Sequence, residues 1–98
     1  MKNITYLELQ KWQSEKRPFQ LIDVRNPDEH TAFNIGGLLI PLADILRQKD
    51  QINLQQPVVF YCKRGIRSQL AIQKLQRKYP EGDFYNLING ILYLQKSE

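Results

Sequence analysis

A chain of 98 residues, 42% hydrophobic and 24% charged, has the composition of one compact domain over residues 1–98; it excludes a disordered polypeptide and is too short for two cores. A net charge of +4 suits an anionic substrate or an acidic partner, and no nucleic-acid-binding motif accompanies it. No apolar run approaches the roughly 18 residues of a membrane span, while one Cys and one His exclude an internal disulfide and an ordinary zinc site. Met1-Lys2-Asn3-Ile4-Thr5 leads straight into a polar helix pattern without an apolar signal core, so a reducing, cytoplasmic setting with a free thiol is expected.

Thr5-Tyr6-Leu7-Glu8 has the form of a capping box, and a helix is expected to follow to about Lys16, burying Tyr6, Leu9 and Trp12. After Pro18, Gln20 to Val24 reads as a buried strand. Asn26-Pro27 opens a short helix, with Asn as N-cap and Pro in the first turn. Gly36-Gly37 is a turn, Leu38 to Ile40 a short strand before Pro41, and Leu42 to Lys49 a weak helix. Val58-Val59-Phe60-Tyr61, β-branched and aromatic, is the strongest strand. A helix over about Arg67 to Tyr79 places Ala71, Ile72, Leu75 and Tyr79 on one face. Pro80-Glu81-Gly82 ends it; Phe84 to Leu87 forms the last strand, and Asn89-Gly90 turns into a short C-terminal helix. Short apolar runs alternating with amphipathic stretches predict an α/β domain with parallel strands.

The chemistry concentrates after the strongest strand, in Cys62-Lys63-Arg64-Gly65-Ile66-Arg67-Ser68. A strand delivers Cys62 to its C-terminal end, a short loop follows, and a helix begins, which is where open α/β sheets bind ligands. The helix directs free N–H groups and its positive dipole end at the loop. Consecutive loop amides, helped by Gly65, can form a nest for an anion, and Lys63, Arg64 and Arg67 add positive charge. Each of these favours thiolate over thiol and attracts an oxyanion, so Cys62 reads as a nucleophile rather than an inert core thiol. Ser68 is placed to cap the helix or to donate to the sulfur.

These residues carry a resemblance to the rhodanese-homology domain along nearly the whole chain. The loop is similar to the family's Cys-x-x-Gly-x-Arg-Ser/Thr at every defined position. Leu21-Ile22-Asp23-Val24-Arg25 followed by Glu29 resembles its Asp-Val-Arg-x-x-x-Glu signature, and Ile4-Thr5 before Glu8-Leu9 its approach to the first helix. The resemblance implies a single rhodanese-like α/β domain of about five parallel strands with helices on both faces. It also implies a sulfurtransferase. The Cys62 thiolate takes the outer sulfur of a donor such as thiosulfate as a persulfide, then yields it to a thiophilic acceptor. By position the backbone from Lys63 through Gly65 and Ile66 to Ser68 cradles the persulfide, Arg67 shapes the loop and helps hold the anion, and Lys63 and Arg64 face the substrate. No metal or cofactor is implied.

Asn34-Ile35-Gly36-Gly37 with Leu39-Ile40-Pro41-Leu42 looks more like one subgroup, the rhodanese tails of adenylyltransferases that activate ubiquitin-like sulfur carriers. That likeness implies a cysteine desulfurase or such a carrier as partner, with no nucleic acid and no membrane. Asn89-Gly90 and Leu94 stand where the family has Gly-Gly and Trp; Asn tolerates the left-handed backbone that the turn requires. Asp23, Arg25 and Glu29 are read as structural support, through an Arg25–Glu29 pair or an Asp23–backbone clamp. His30 is expected at the surface, and Lys74, Arg77 and Lys78 on a solvated helix face. Two alternatives remain: a non-catalytic docking or regulatory module, and a phosphatase or arsenate reductase. Phosphatase-like relatives carry a longer loop than the four residues between Cys62 and Arg67 here.

Overall fold

The computed structural model describes residues 2–95. The chain runs β1 (Lys2–Ile4), α1 (Tyr6–Ser14), β2 (Gln20–Asp23), α2 (Pro27–Ala32), β3 (Leu38–Leu39), two 3₁₀ turns (Leu42–Asp44 and Lys49–Gln51), β4 (Val58–Tyr61), α3 (Ile66–Lys78), β5 (Phe84–Leu87) and α4 (Leu92–Gln95). The five strands form one parallel sheet in the order β1-β5-β4-β2-β3.

All four residues of β4 are buried, and their alternation feeds one apolar cluster on each face of the single sheet. Val58 and Phe60 join Ile22, Val24, Ile40, Ile45 and Ile52 under Ala71, Ile72 and Leu75 of α3. Val59 and Tyr61 join Leu21, Leu87 and Ile91 under Leu9 of α1, with Trp12, Phe33 and Leu94 packed at the edge. Helices therefore cover both faces, and a strand buried on both sides reads as an unbroken apolar run. Edge-to-face pairs lock each side: Phe60 on Phe84 at 5.5 Å between centroids, and Trp12 on Tyr85 at 5.1 Å.

The strand order reverses between β2 and β4. From β2 the chain steps outward to β3, then crosses back to β4 and β5 on the other side. The segment after β2 packs Phe33 on one face and the helix after β4 packs on the opposite face, so a crevice opens between the carboxyl ends of these two strands. Asp23, paired in register with Tyr61, and Cys62, the residue after Tyr61, both lie at that crevice.

Four sequence expectations are corrected. The N-terminal residues form strand β1 before the helix: three residues are too short for a periodic pattern, and the pairing of Lys2, Asn3 and Ile4 with Tyr85, Asn86 and Leu87 is a long-range event. Leu42 to Lys49 is not one helix; only the two 3₁₀ turns form, anchored by the buried Ile45 and Ile52. Helix α1 stops at Ser14, two residues short, and Lys16 takes a positive φ of 56°. Within α1 only Leu9 is fully buried; Tyr6 and Trp12 are half-buried, the Trp12 ring carrying the Arg17 guanidinium 4.1 Å from its centroid.

Candidate active site

Cys62 is 1% exposed, and its sulfur is encircled by hydrogen-bond donors from the following turn and helix. The Gly65 amide donates to Sγ at 3.1 Å and the Ser68 amide at 3.4 Å, and the Ser68 hydroxyl lies 3.4 Å away. Gly65 is the N-cap of α3 with φ of 93°, a left-handed conformation that lets the chain reverse within three residues of the Cys. Having no side chain, Gly65 cannot cap the helix. The sulfur takes the third helical amide instead, where a Ser or Asp oxygen usually sits. A charge on the sulfur is thus the helix's own cap.

For the loop amides to point inward, the loop carbonyls must point outward and find partners there. The C-terminal turn supplies them. Ile91 N–H donates to the carbonyls of Cys62 at 3.1 Å and of Lys63 at 3.0 Å, and Leu92 N–H donates to Lys63 at 3.0 Å. This requires Asn89 and Gly90 at φ of 68° and 63°, the left-handed pair that a turn of this shape needs.

Ser68 is fully buried and donates its hydroxyl to Asn86 Oδ1 in β5, and Asn86 Nδ2 reaches Asn3 Oδ1 in β1 at 3.3 Å. Asn86, 1% exposed, escaped the sequence reading; its signal was a carboxamide in an otherwise apolar strand, Phe84-Tyr85-Asn86-Leu87. Such a group is stable only with partners.

The upstream residues form two linked clamps. Asp23, fully buried, takes Arg25 in a fork: Nε to Oδ1 at 2.9 Å and Nη2 to Oδ2 at 2.8 Å. The Arg25 amide also donates to Oδ1 at 3.0 Å. Arg25 Nη2 reaches the Phe33 carbonyl at 2.6 Å, tying the end of α2 to β2. Burial works against the Arg25 charge, but Asp23 outweighs it and the guanidinium is held above its ordinary value. Glu29 does not pair with Arg25. It accepts Arg67 on both oxygens, at 2.7 and 2.8 Å, while its Oε1 caps the Asn26 amide at 3.0 Å. The Arg67 hydrogen bonds pull the Glu29 carboxyl down to about 2 against a modest opposing effect of burial. Arg67 is therefore committed to α2 and positions the loop.

His30 departs from the surface expectation. It is half-buried, with Nδ1 2.9 Å from Asp23 Oδ2, one turn of α2 delivering both Glu29 and His30 inward. The packing that does this depends on Phe33 and on β2, which a six-residue polar helix does not announce. Tyr61, below the crevice, donates to the Gly36 carbonyl at 2.8 Å, and burial raises its phenol to about 12.

A cavity of about 170 Å³ is lined by Cys62, Lys63, Arg64, Ile66 and Arg67. Lys63 and Arg64 are exposed, and among the described residues neither makes an ion pair or a side-chain hydrogen bond. Among the described residues no group of three or more His, Cys, Asp or Glu is placed to hold a metal ion, and no helix is long and apolar enough to cross a membrane. Lys74, Arg77 and Lys78 are exposed on α3.

A family model described as a rhodanese-like domain matches residues 5–96. The chain is 41% identical over 75 residues to the uncharacterized protein YqhL of Bacillus subtilis, covering 76% of this chain and 59% of that protein. It is 29% identical over 85 residues to the adenylyltransferase and sulfurtransferase MOCS3 of Drosophila ananassae, covering 79% of this chain and only 19% of that protein. The chain thus spans a little over half of the bacterial relative's length and about a fifth of the fly protein's. Among solved structures, the rhodanese-like domain protein of Staphylococcus aureus superposes with a TM-score of 0.82 at 28% identity, over 93% of this chain and 88% of that one.

Proposed function

The chain belongs to the rhodanese-like domain family, and on that premise we propose that it is a sulfurtransferase carrying sulfane sulfur as a Cys62 persulfide. The observation that carries this reading is the sulfur of Cys62 serving as the cap of α3, with the Gly65 and Ser68 amides donating to it. Such a site stabilises an anionic sulfur before reaction and keeps donors in place for the outer sulfur afterwards.

In the first step the Cys62 thiolate attacks the outer sulfur of thiosulfate. A bond forms between Sγ and that sulfur, the bond to the sulfonate sulfur breaks, and its electron pair leaves with sulfite. Lys63 and Arg64 attract the dianion and stabilise the departing charge. In the second step a thiophilic acceptor attacks the outer sulfur and the pair returns to Cys62. The transfer is split into two displacements on one nucleophile, neither needing an external oxidant. Asp23, Arg25 and Glu29 act as positioning residues, their hydrogen bonds going to one another's segments and not to the sulfur, while Arg67, forked to Glu29, lines the thiol's cavity and sets its charge toward Cys62. The cavity of about 170 Å³ supports a compact oxyanion as donor. The similarity to MOCS3, an adenylyltransferase and sulfurtransferase, supports a place in a sulfur relay. For that relay the proposal takes a cytoplasmic setting, a protein-borne persulfide from a desulfurase as the other donor class and a ubiquitin-like carrier among the acceptors.

Turnover tests the proposal. With thiosulfate and cyanide the protein should release thiocyanate and sulfite in equal amounts, and Cys62→Ser should release neither. Thiocyanate production that survives Cys62→Ser would remove Cys62 from the chemistry; no turnover by the native protein with either thiosulfate or a persulfide donor would leave a docking module.

A further inference from the structure

Beside the thiol's cavity lies a second one of about 380 Å³, lined by Arg64, Asn89, Leu92 and Tyr93. The two share Arg64. The second is the roomier, at the low end of sizes for small-molecule sites. Its wall is not a loose terminus: Leu92 N–H is bonded to the Lys63 carbonyl, so the α4 side of the cavity is fixed to the loop that holds the sulfur. Its lining has two characters. Leu92 and the half-exposed Tyr93 offer an apolar and aromatic surface. Arg64 offers a guanidinium that no described residue neutralises, and no acidic side chain lines either cavity.

We infer that this cavity is the subsite for the sulfur acceptor, and that the acceptor is a low-molecular-mass thiol with an apolar body and a carboxylate. The inference rests on the sulfur-transfer reading for its chemistry. The compact donor is served by the smaller cavity; the acceptor needs room for a body whose own sulfur must reach the outer sulfur of the persulfide. Arg64, at the junction, takes the carboxylate in a charge-assisted pair while Tyr93 and Leu92 bury the body. The acceptor thiolate forms a bond to the outer sulfur, the bond from that sulfur to Cys62 Sγ breaks, and the electron pair returns to Cys62 as thiolate. The acceptor leaves as its persulfide, with charge and protons conserved.

The test loads the whole chain with inorganic polysulfide, which makes no use of thiosulfate. Loss of the added sulfur is then followed by intact mass with phenylmethanethiol bearing a para carboxylate, a para hydrogen or a para aminomethyl group. The carboxylate should react at least about tenfold more efficiently than the aminomethyl compound, as a charge-assisted contact requires, and Arg64→Gln should reduce that ratio to within about threefold. Tyr93→Ala should slow the aromatic carboxylate and leave an aliphatic mercaptocarboxylate of similar charge within about twofold. Equal rates for the three thiols, or a preference that survives Arg64→Gln, would overturn the inference. If Cys62 holds no added sulfur, the sulfur-transfer reading falls, and the subsite is judged separately by amide shifts with para-methylbenzoate. Saturable shifts at Leu92 and Tyr93, absent with para-methylbenzylamine, would sustain an anion-selective site; no shifts would overturn it.

Discussion

Gly90 is packed directly against Lys63: a Cβ added to Gly90 would overlap the Lys63 carbonyl and the Arg64 amide. The same carbonyl receives the N–H groups of Ile91 and Leu92. A turn some 25 residues downstream thereby keeps the loop's carbonyls outside and its amides aimed at Cys62. Gly90→Ala combines a left-handed backbone with a backbone overlap and should cost about 2–4 kcal/mol of stability. It should also depress sulfur loading of Cys62 in the fraction that remains folded. Urea unfolding midpoints and intact mass check the two effects.

Ser68 and Asn86 form a second support under the sulfur. Ser68→Ala removes a hydroxyl 3.4 Å from Sγ and leaves the buried Asn86 oxygen without its donor. A cost of about 1–3 kcal/mol follows from the unsatisfied acceptor. The pair should couple: in a double-mutant cycle with Asn86→Ala, the two losses should fall short of additivity by at least about 0.5 kcal/mol.

Asp23 should matter more than His30. Asp23→Asn leaves the 3%-exposed Arg25 without its carboxylate and should destabilise by about 3–5 kcal/mol. His30→Ala removes one bond to Asp23 while the Arg25 fork remains, and should cost about 1 kcal/mol. Chemical denaturation of the two variants orders them; a larger loss for His30→Ala would contradict the clamp.

The Glu29–Arg67 fork gives stability a pH signature. Arg67 holds the Glu29 carboxyl at about 2, below its ordinary 4.5, with burial opposing and the Asn26 amide assisting. A depressed carboxyl adds stability that is fully present above 4.5 and disappears as pH falls through about 2. Between those limits the native protein should lose more of its urea midpoint than Glu29→Gln does. Parallel curves for the two would show that the fork contributes nothing to folding.

What was legible in the sequence was set by local pattern. Val58 to Tyr61 announced a doubly buried strand, Thr5 with Glu8 and Asn26-Pro27 announced helix starts, and the Cys62-to-Ser68 spacing announced a strand, a loop with amides turned to the sulfur, and a helix. The rest depended on contacts between distant residues. Strand β1 exists only because β5 receives it. Glu29 was read against Arg25, four residues away, whereas it pairs with Arg67, 38 residues away, across the crevice where the strand order reverses. His30 looked like a surface residue because a short polar helix gives no hint that one side of it faces Asp23. Asn86 and the Lys63–Gly90 contact belong to the same class.

The central claim is that Cys62 carries sulfur, and intact mass spectrometry of the reduced protein after exposure to thiosulfate tests it most directly. The account predicts a gain of one sulfur atom per chain, reversed by dithiothreitol and absent in Cys62→Ser. A gain that persists in Cys62→Ser, or no gain from thiosulfate or from any persulfide donor in a folded protein with its thiol free, would contradict it.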